Sequence, residues 1–373
     1  MNGFKILGLG TALPDHTISQ AAMATFAATC VAPELTGSKN PSGLIQALYR
    51  RAGVQSRHSV LLESSDDEEA TAERFFEFVK GPDDRGPGTA QRMHRFEIEA
   101  PKIALKATAN AISEAGISPD EITHLITVSC SGFSAPGVDL YLIENLGLSP
   151  NVSRTHVGFM GCHGALNGLR VAHSFAAADP NAVVAMCAVE LCTLHHQYGW
   201  DPQQIVANSL FADGAATVIG RANISHNIPS QNLPGQLVDS YSFVIPATSE
   251  LMTWRVGDNG FEMTLSPEVP GVITRTLPGA LNEFLGRNGL TIGDIQGWAI
   301  HPGGPRILAA TAEAAGLSDE QIDASISVFQ RCGNMSSPTV LFILDELRSR
   351  KAALPCLMLG FGPGLNVEMA LLR

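Results

Sequence analysis

Several features that mark other classes of protein are missing from this sequence. No apolar run reaches the roughly 20 residues that a membrane-spanning helix needs. There is no CxxC pair, and the seven cysteines are scattered, which disfavours a disulfide framework and a structural zinc site. Basic residues are few, 24 against 36 acidic ones, and the formal charge of −12 argues against nucleic-acid and anionic-membrane binding. We therefore expect a cytoplasmic protein without a metal, whose anionic ligands would need a local basic patch.

What the sequence does contain is an alternation of short apolar runs with stretches of helical period. The first run, at 4–10, is too short for a signal peptide and predicts a strand. Buried strands are predicted at 4–10, 124–130, 182–191, 215–220, 297–302 and 356–362. Helices are predicted at 97–116, 164–178, 271–289 and 337–351. This order indicates an α/β fold whose sheets are covered by helices on both faces.

Two of the predicted helices are apolar nearly all round. They are GALNGLRVAHSFAAA (164–178) and the start of the helix at 337–351, and a helix without a polar face must lie inside the protein. Each has a small polar cluster at its N-terminus, so we predict two similar halves, 1–225 and 226–373, whose helix starts meet at a common centre. The polar stretch 222–240 is the expected boundary between them. The charged, Gly- and Pro-rich stretch 63–92 predicts a surface excursion, part helix and part mobile loop.

Cys162 is the cysteine whose context favours chemistry. It follows a strand-like run in VGFMGCHGALNG (157–168) and lies at the start of a buried helix, where the helix dipole favours a thiolate. The glycines around it permit a sharp turn and the close approach of a thioester. The alternative is a buried, inert cysteine, which is the usual state of a free cysteine.

His301 and Asn334 are the candidate partners of Cys162. His301 ends the apolar strand GWAI before a Pro-Gly-Gly turn, the edge at which α/β sheets usually expose their chemistry. Asn334 precedes the second buried helix, with Ser336 or Ser337 as a possible cap. Taken singly, each could be a structural residue. Together they predict a thiolate nucleophile with two hydrogen-bond donors for a thioester oxygen.

Five motifs resemble one family over nearly the whole chain, least at 60–90 and 222–250. They are GCHGALNGL (161–169), SLFADGAA (209–216), WAIHPGGP (298–305), GNMSSPT (333–339) and GFGPGLNVE (360–368). The sequence is similar to the type III polyketide synthases, the chalcone synthase-like family of the thiolase superfamily, and looks bacterial in type. The resemblance implies a five-layer αβαβα thiolase-like fold and a homodimer.

The resemblance also implies a reaction and roles for the three polar residues. The family loads an acyl-CoA starter onto the cysteine, decarboxylates malonyl-CoA to an enolate and condenses the two, often repeatedly, before cyclisation. By this likeness Cys162 carries the acyl chain, and His301 and Asn334 stabilise the enolate and the tetrahedral oxyanion. His301 should also hold Cys162 as a thiolate. Acyl-CoA and malonyl-CoA are substrates, and no cofactor is implied.

Residues of the reaction chamber are implied in the same way. Phe211 falls on the family's gatekeeper phenylalanine, and Met263 occupies the second gatekeeper position, where it gives a softer wall. Ala135–Pro136 matches the loop whose tip enters the neighbouring subunit's cavity, and its small alanine would leave room for a longer acyl chain. Further wall positions fall on Cys130, Cys192, His195 and Ser336. His195 could contact a polyketide oxygen, although a structural role together with His196 is slightly favoured.

Binding of CoA phosphates requires cations, which arginine supplies in bidentate form. Arg50 and Arg51 lie in the region of the family's basic tunnel mouth, and Arg57 and Arg306 are further candidates. For each, a solvated surface arginine is the alternative.

Two other functions remain open at this point. A β-ketoacyl carrier-protein synthase III-like enzyme would use the same three residues for a single condensation, although GFGPGL and the Phe211 motif argue against it. A non-catalytic scaffold is disfavoured because all three polar residues are present. The motifs leave the starter and the ring closure open among pyrone, resorcinol and phloroglucinol-type products. The bacterial character favours an aliphatic acyl starter with a pyrone or resorcinol product.

Overall fold

A computed structural model describes residues 3–37, 40–65, 75–222 and 235–373. Its α-helices are α1 (Gln20–Thr29), α2 (Pro41–Arg51), α3 (Thr89–Ala115), α4 (Val138–Leu146), α5 (Gly164–Ala178), α6 (Pro202–Leu210), α7 (Val269–Arg287), α8 (Pro305–Ala315), α9 (Asp319–Cys332) and α10 (Thr339–Ser349). Within the described part of the chain, no helix combines the length and apolarity needed to cross a membrane.

Within the described residues the strands form one large sheet and two small two-stranded sheets. They are β1 (Phe4–Ala12), β2 (Thr17–Ser19), β3 (Ser56–His58), β4 (His124–Ser129), β5 (Ser153–Gly158), β6 (Val183–Leu191), β7 (Asp213–Ala222), β8 (Gln236–Val244), β9 (Met252–Gly257), β10 (Gly260–Leu265), β11 (Gly297–Ile300), β12 (Cys356–Gly362) and β13 (Asn366–Leu372). The large sheet runs in the order β11-β12-β13-β8-β1-β7-β6-β4-β5. Its two halves meet where β1 pairs with β8 over only two residues, Phe4 with Leu237 and Lys5 with Gln236.

Helices cover both faces of each half of the sheet, which confirms the predicted five-layer thiolase-like fold. Alternate residues of a strand face opposite layers: in β6, Met186 packs into the central core and Cys187 into the outer core under α3. In β12, Met358 faces the centre and Leu359 faces α7 and α8. Burial on both faces explains why these strands are apolar along their whole length.

The central layer consists of the two helices that the sequence analysis predicted to be buried. α5 matches its predicted bounds of 164–178, and α10 forms within the predicted range 337–351. Both contribute to the same core, which also takes residues from both halves of the sheet. α5 contacts β4 and β6 from one half and β13 from the other, and α10 contacts β1 and β11. The starts of these two helices therefore lie between the halves.

The two segments expected to be irregular lie partly outside the described residues. Of 63–92, residues 66–74 are outside, Phe76 is buried, and α3 begins at Thr89. Most described residues of this stretch are exposed or partly exposed, as expected for a surface excursion, and Phe76 anchors it to the body. Of 222–240, residues 223–234 are outside, and β8 begins at Gln236. The division into halves at 225 and 226 stays a prediction.

Candidate active site

Cys162 lies on a single helical turn, Gly161–His163, immediately before α5. The turn begins with Gly161 at φ 77°, a left-handed conformation that favours glycine. A Cβ at this position would also lie 2.7 Å from Cδ of Pro363, in the GFGPGL motif. Of the seven cysteines, all of them free thiols, Cys162 alone is partly exposed. The sharp turn thus makes Cys162 the cysteine residue that reaches the edge of the core.

Two polar side chains contact the sulfur of Cys162. The Ser336 hydroxyl donates to Sγ over 3.6 Å, and the Asn334 amide also hydrogen-bonds to it. Burial raises the pKa of the Cys162 thiol to about 11, and the contacts with Ser336 and Asn334 act in the opposite direction.

Backbone pairing fixes Asn334 beside Phe211. The Asn334 N–H donates to the Leu210 carbonyl, and the Ala212 N–H donates to the Asn334 carbonyl, both over 2.9 Å. The Asn334 side-chain carbonyl accepts the Ser336 N–H at 2.8 Å. Because its oxygen is engaged in this way, the Asn334 amide presents its NH₂ group to the sulfur.

His301 follows β11, and its backbone N–H donates to the Leu359 carbonyl over 2.8 Å. The ring is buried, and neither nitrogen has a hydrogen-bond partner. Burial, with a smaller contribution from His163, lowers the pKa of His301 to about 3.

The glycines of the GFGPGL motif pack against His163, the residue after Cys162. A Cβ at Gly362 would lie 2.3 Å from Cδ2 of His163, and one at Gly360 would lie 3.3 Å from its Cβ. His163 Nδ1 contacts the Asn167 side-chain oxygen at 2.7 Å, and Asn167 donates to Glu368 at 3.0 Å. The motif therefore sets the position of the turn that carries Cys162. Glycines in a motif indicate that another segment packs closely against the backbone there, but the sequence analysis did not identify His163 as that neighbour.

The buried carboxyl group of Glu190 holds several segments together near Cys162. The sequence analysis did not identify this residue. It accepts the N–H groups of Cys130 and Ser131 at 2.9 Å and the Ser337 hydroxyl at 2.5 Å. Burial raises the pKa of Glu190, while these hydrogen bonds lower it. The network joins the loop after β4 to the residues before α10, and Cys130 Sγ lies 3.1 Å from the Ser336 hydroxyl.

The cavity next to Cys162 brings together most of the predicted chamber residues. Its wall includes Cys130, Cys192, Phe211, Met263 and Ser336. The sequence analysis missed Trp254 on β9, whose indole N–H donates to the Cys130 carbonyl over 2.7 Å. The cavity volume is only ≈ 20 Å³, about the space of one water molecule, so an acyl chain requires the wall to move.

The family assignment rests on both parts of the chain. Residues 3–223 match the family model for the N-terminal domain of chalcone and stilbene synthases, and residues 236–373 match the one for the C-terminal domain. The chain belongs to this family. It is therefore a decarboxylating, condensing acyltransferase of the type III polyketide synthase kind. The carrier-protein synthase alternative is not favoured.

Individual relatives of this type III polyketide synthase are bacterial and eukaryotic. It is 36% identical over 292 residues to the alpha-pyrone synthesis polyketide synthase-like Pks18 of Mycobacterium tuberculosis, covering 76% of this chain and 73% of the relative. It is 30% identical over 375 residues to the 1,3,6,8-tetrahydroxynaphthalene synthase of Streptomyces peucetius subsp. caesius, covering 100% and 93%. PKS-I of the brown alga Ectocarpus siliculosus superposes with a TM-score of 0.91 at 28% identity, covering 100% and 98% of the two chains.

The arginines that were predicted to bind CoA divide into three groups. Arg51 and Arg306 line an open groove, here called the entrance groove, which has a cavity volume of ≈ 510 Å³. Met263 lines both this groove and the cavity of Cys162. Arg50 is exposed at the end of α2 but does not line the groove.

The prediction for Arg57 is wrong, because its side chain lies in the interior of the synthase and is only 1% exposed. Its guanidinium donates to the carbonyls of Asn208, Ser209 and Phe211 and to the Gln20 side chain. These bonds connect β3 to the end of α6, so Arg57 cannot reach a CoA phosphate at the surface.

The predicted polar contact of His195 with a polyketide oxygen is also contradicted. Nε2 of His195 lies 2.6 Å from the Ser131 carbonyl, and Nδ1 accepts the Phe261 N–H at 2.9 Å. The ring stacks on Phe261 with centroids 4.2 Å apart. Burial lowers the pKa of His195 to about 3. With both nitrogens occupied, His195 is the structural histidine that the sequence analysis slightly favoured.

Ala135 does not lie at the cavity of Cys162. It lines a separate cavity of ≈ 420 Å³ together with Phe133, Arg154 and His156, beside the edge strand β5. Within the described residues, no group of three or more His, Cys, Asp or Glu side chains is arranged to hold a metal ion.

Proposed function

We propose that this synthase loads an acyl-CoA starter on Cys162 and extends it with malonyl-CoA. The Cys162 thiolate attacks the starter thioester and releases CoA. Malonyl-CoA loses CO₂, and the resulting enolate attacks the Cys162 thioester, which frees the thiolate again. Cys162 is the one partly exposed residue among the seven cysteines, and its sulfur is contacted by Asn334; this observation carries the proposal.

In this proposal His301 and Asn334 donate hydrogen bonds to the enolate oxygen of malonyl-CoA and to the tetrahedral oxyanion. Both positions are buried, so their donors act where water does not screen the developing charge. The ring nitrogens of His301 have no protein partner and are therefore free for the substrate. Decarboxylation itself generates the carbon nucleophile, so we expect no cofactor beyond the CoA substrates.

The starter is proposed to be an aliphatic acyl group and the product a pyrone or resorcinol. The wall of the Cys162 cavity is largely apolar, with Met252, Met263 and Pro363 among its residues. Unbranched methionines adapt their shape to a flexible chain. One of the relatives is named for alpha-pyrone synthesis, which supports the same product class.

The experiment that tests the function is an incubation of the synthase with malonyl-CoA and a series of acyl-CoA starters, read by mass spectrometry. We expect products that contain one starter and two or more extender units, with aliphatic starters used at least about tenfold better in kcat/KM than aromatic ones. A product with a single extension, formed only from a malonyl carrier protein, would contradict the polyketide proposal. A preference for aromatic starters would contradict the starter assignment alone.

The entrance groove is proposed to bind CoA through Arg51 and Arg306. We expect Arg51→Ala and Arg306→Ala each to raise the KM for malonyl-CoA about fivefold, as the loss of one exposed cation–phosphate contact of ~1 kcal/mol predicts. The kcat should stay the same, because the groove is separate from the reacting atoms. Arg50→Ala is the matched control, since Arg50 is equally exposed on the same helix end but outside the groove. An equal effect of Arg50→Ala on KM would show that only general charge is involved.

The synthase is further proposed to act as a homodimer in the cytoplasm. β5 is an edge strand of the sheet and is followed by exposed Phe159 and Met160, a combination that favours a partner. A second copy on this edge would also bring the loop of Ala135 to the interface. Seven free thiols fit a reducing compartment. A monomeric mass by light scattering would contradict the dimer.

A further inference from the structure

Beside the reaction chamber lies a polar pocket that the mechanism above does not use. Two adjoining cavities form it, and both are lined by Met23, Arg57, Thr193 and His196. The first cavity shares Cys192, Phe211, Trp254 and Met263 with the cavity of Cys162. The polar pocket therefore adjoins the cavity of Cys162, and Trp254 is one of the residues in the wall they share.

Arg57 supplies a buried cation with one unused donor. Four hydrogen bonds to neutral oxygens hold its two terminal nitrogens, and Nε has no partner. Burial lowers the pKa of Arg57 to about 10, and the charge of Asp213 acts in the opposite direction, so the guanidinium stays protonated at physiological pH. Arg57 thus contributes an unpartnered Nε–H donor among the residues that line the pocket.

His196 supplies the second unused group. Its ring packs between Phe26 and Phe76, each with centroids 5.5 Å away, and Nε2 has no hydrogen-bond partner. Burial, followed by the neighbouring charges of Arg92 and Arg57, lowers the pKa of His196 to about 3. The ring is therefore neutral, and a ligand oxygen would select the tautomer that carries the proton on Nε2.

A buried polar atom without a partner is destabilising, and folded proteins contain few of them. Two residues that line the same cavities each carry such an atom, and one occupant could satisfy both. Each cavity has a volume of only ≈ 20 Å³, which admits one water-sized group. The occupant that fits two donors in this space is a single oxygen atom, either of a water molecule or of a carbonyl group.

We propose that Arg57 Nε–H and His196 Nε2–H bind a keto oxygen of the acyl chain carried by Cys162. This inference rests on the proposed function, because the chain must first be loaded and extended. A polyketide carries carbonyl oxygens on alternate carbons, whereas a saturated chain has no acceptor. The pocket therefore distinguishes an oxygenated chain from a saturated one and positions it for the following step.

The test compares starters of equal length: one saturated acyl-CoA and a series with one keto group at successive carbons. We expect one member of the series to exceed the saturated chain about tenfold in kcat/KM, as hydrogen bonds from the two buried donors together predict. His196→Phe keeps an aromatic ring but removes the neutral donor, while Arg57 Nε–H remains, so this ratio should fall to about three. Tyr198→Phe is the matched control, since Tyr198 packs beside His196 without lining the pocket, and its ratio should stay near ten.

Three outcomes separate the possibilities. If the wild-type enzyme shows no preference at any keto position, or if His196→Phe keeps the full tenfold preference, the pocket holds only water and the inference is wrong. If no starter is extended at all, the proposed function fails instead. Circular dichroism checks folding, and His196→Met, which also lacks a donor, replaces the phenylalanine variant if that variant does not fold.

Discussion

Replacement of Cys162 by alanine should lower polyketide formation at least about 10³-fold, because the chain then has no sulfur to carry it. Decarboxylation of malonyl-CoA should continue, since His301 and Asn334 still face the substrate oxygen. The two activities are measured separately, as polyketide by mass spectrometry and as acetyl-CoA released from malonyl-CoA. Intact-protein mass should show an acyl adduct on the wild-type enzyme and none on the variant.

Cys187→Ala is the matched control for this experiment. Cys187 is fully buried in β6 and faces the outer core under α3, away from the chamber. This substitution also removes a cysteine sulfur, and we expect it to change only the stability of the protein, by a small amount. Unchanged polyketide formation by Cys162→Ala would refute the nucleophile assignment, and loss of both activities would show that the sulfur also takes part in decarboxylation.

Replacement of Asn334 by aspartate should lower malonyl-CoA decarboxylation by about 10²–10³-fold, the usual effect of losing one oxyanion donor. The change is nearly isosteric, and one carboxylate oxygen can still accept the Ser336 N–H that the amide oxygen accepts now. The NH₂ donor, however, becomes an oxygen that repels the developing enolate. The rate of acetyl-CoA formation from malonyl-CoA measures the effect directly.

The unfolding temperature of the Asn334→Asp variant serves as its control. Because the backbone pairs of Asn334 with Leu210 and Ala212 do not involve the side chain, the fold around Phe211 should persist. A variant that decarboxylates at the wild-type rate would assign the oxyanion contact to His301 alone.

The elements that the sequence analysis predicted correctly are those with a strong local signal. β12 and α5 match their predicted bounds, because an uninterrupted apolar run and an apolar helix after a glycine turn are both readable in a short window. β9 and β10 were not predicted. Their faces are only partly buried, so their residues show no clear alternation, yet they contribute Met263 and Trp254 to the chamber.

The arginines at 50–57 show the limit of such reasoning most clearly. Arg51 and Arg57 have the same side chain and lie six positions apart, but one lines the entrance groove and the other is buried with its terminal nitrogens bonded to oxygens of the interior. The difference is made by α6, which is more than 140 positions further along the chain and places its last carbonyls against Arg57. The sequence around Arg57 therefore does not predict that contact.

The amino-acid sequence by itself determined the family of this protein, its layered fold, and the position of Cys162 at the start of a buried helix. These properties follow from local composition, from glycine positions and from motif spacing. Only the tertiary structure decided which polar side chains are already satisfied and which still lack a partner. His195 and His196 are adjacent, yet the first has both nitrogens bonded and the second leaves Nε2 without a partner. Hydrogen bonding of buried groups depends on segments distant in sequence, so it emerges only when the chain is folded.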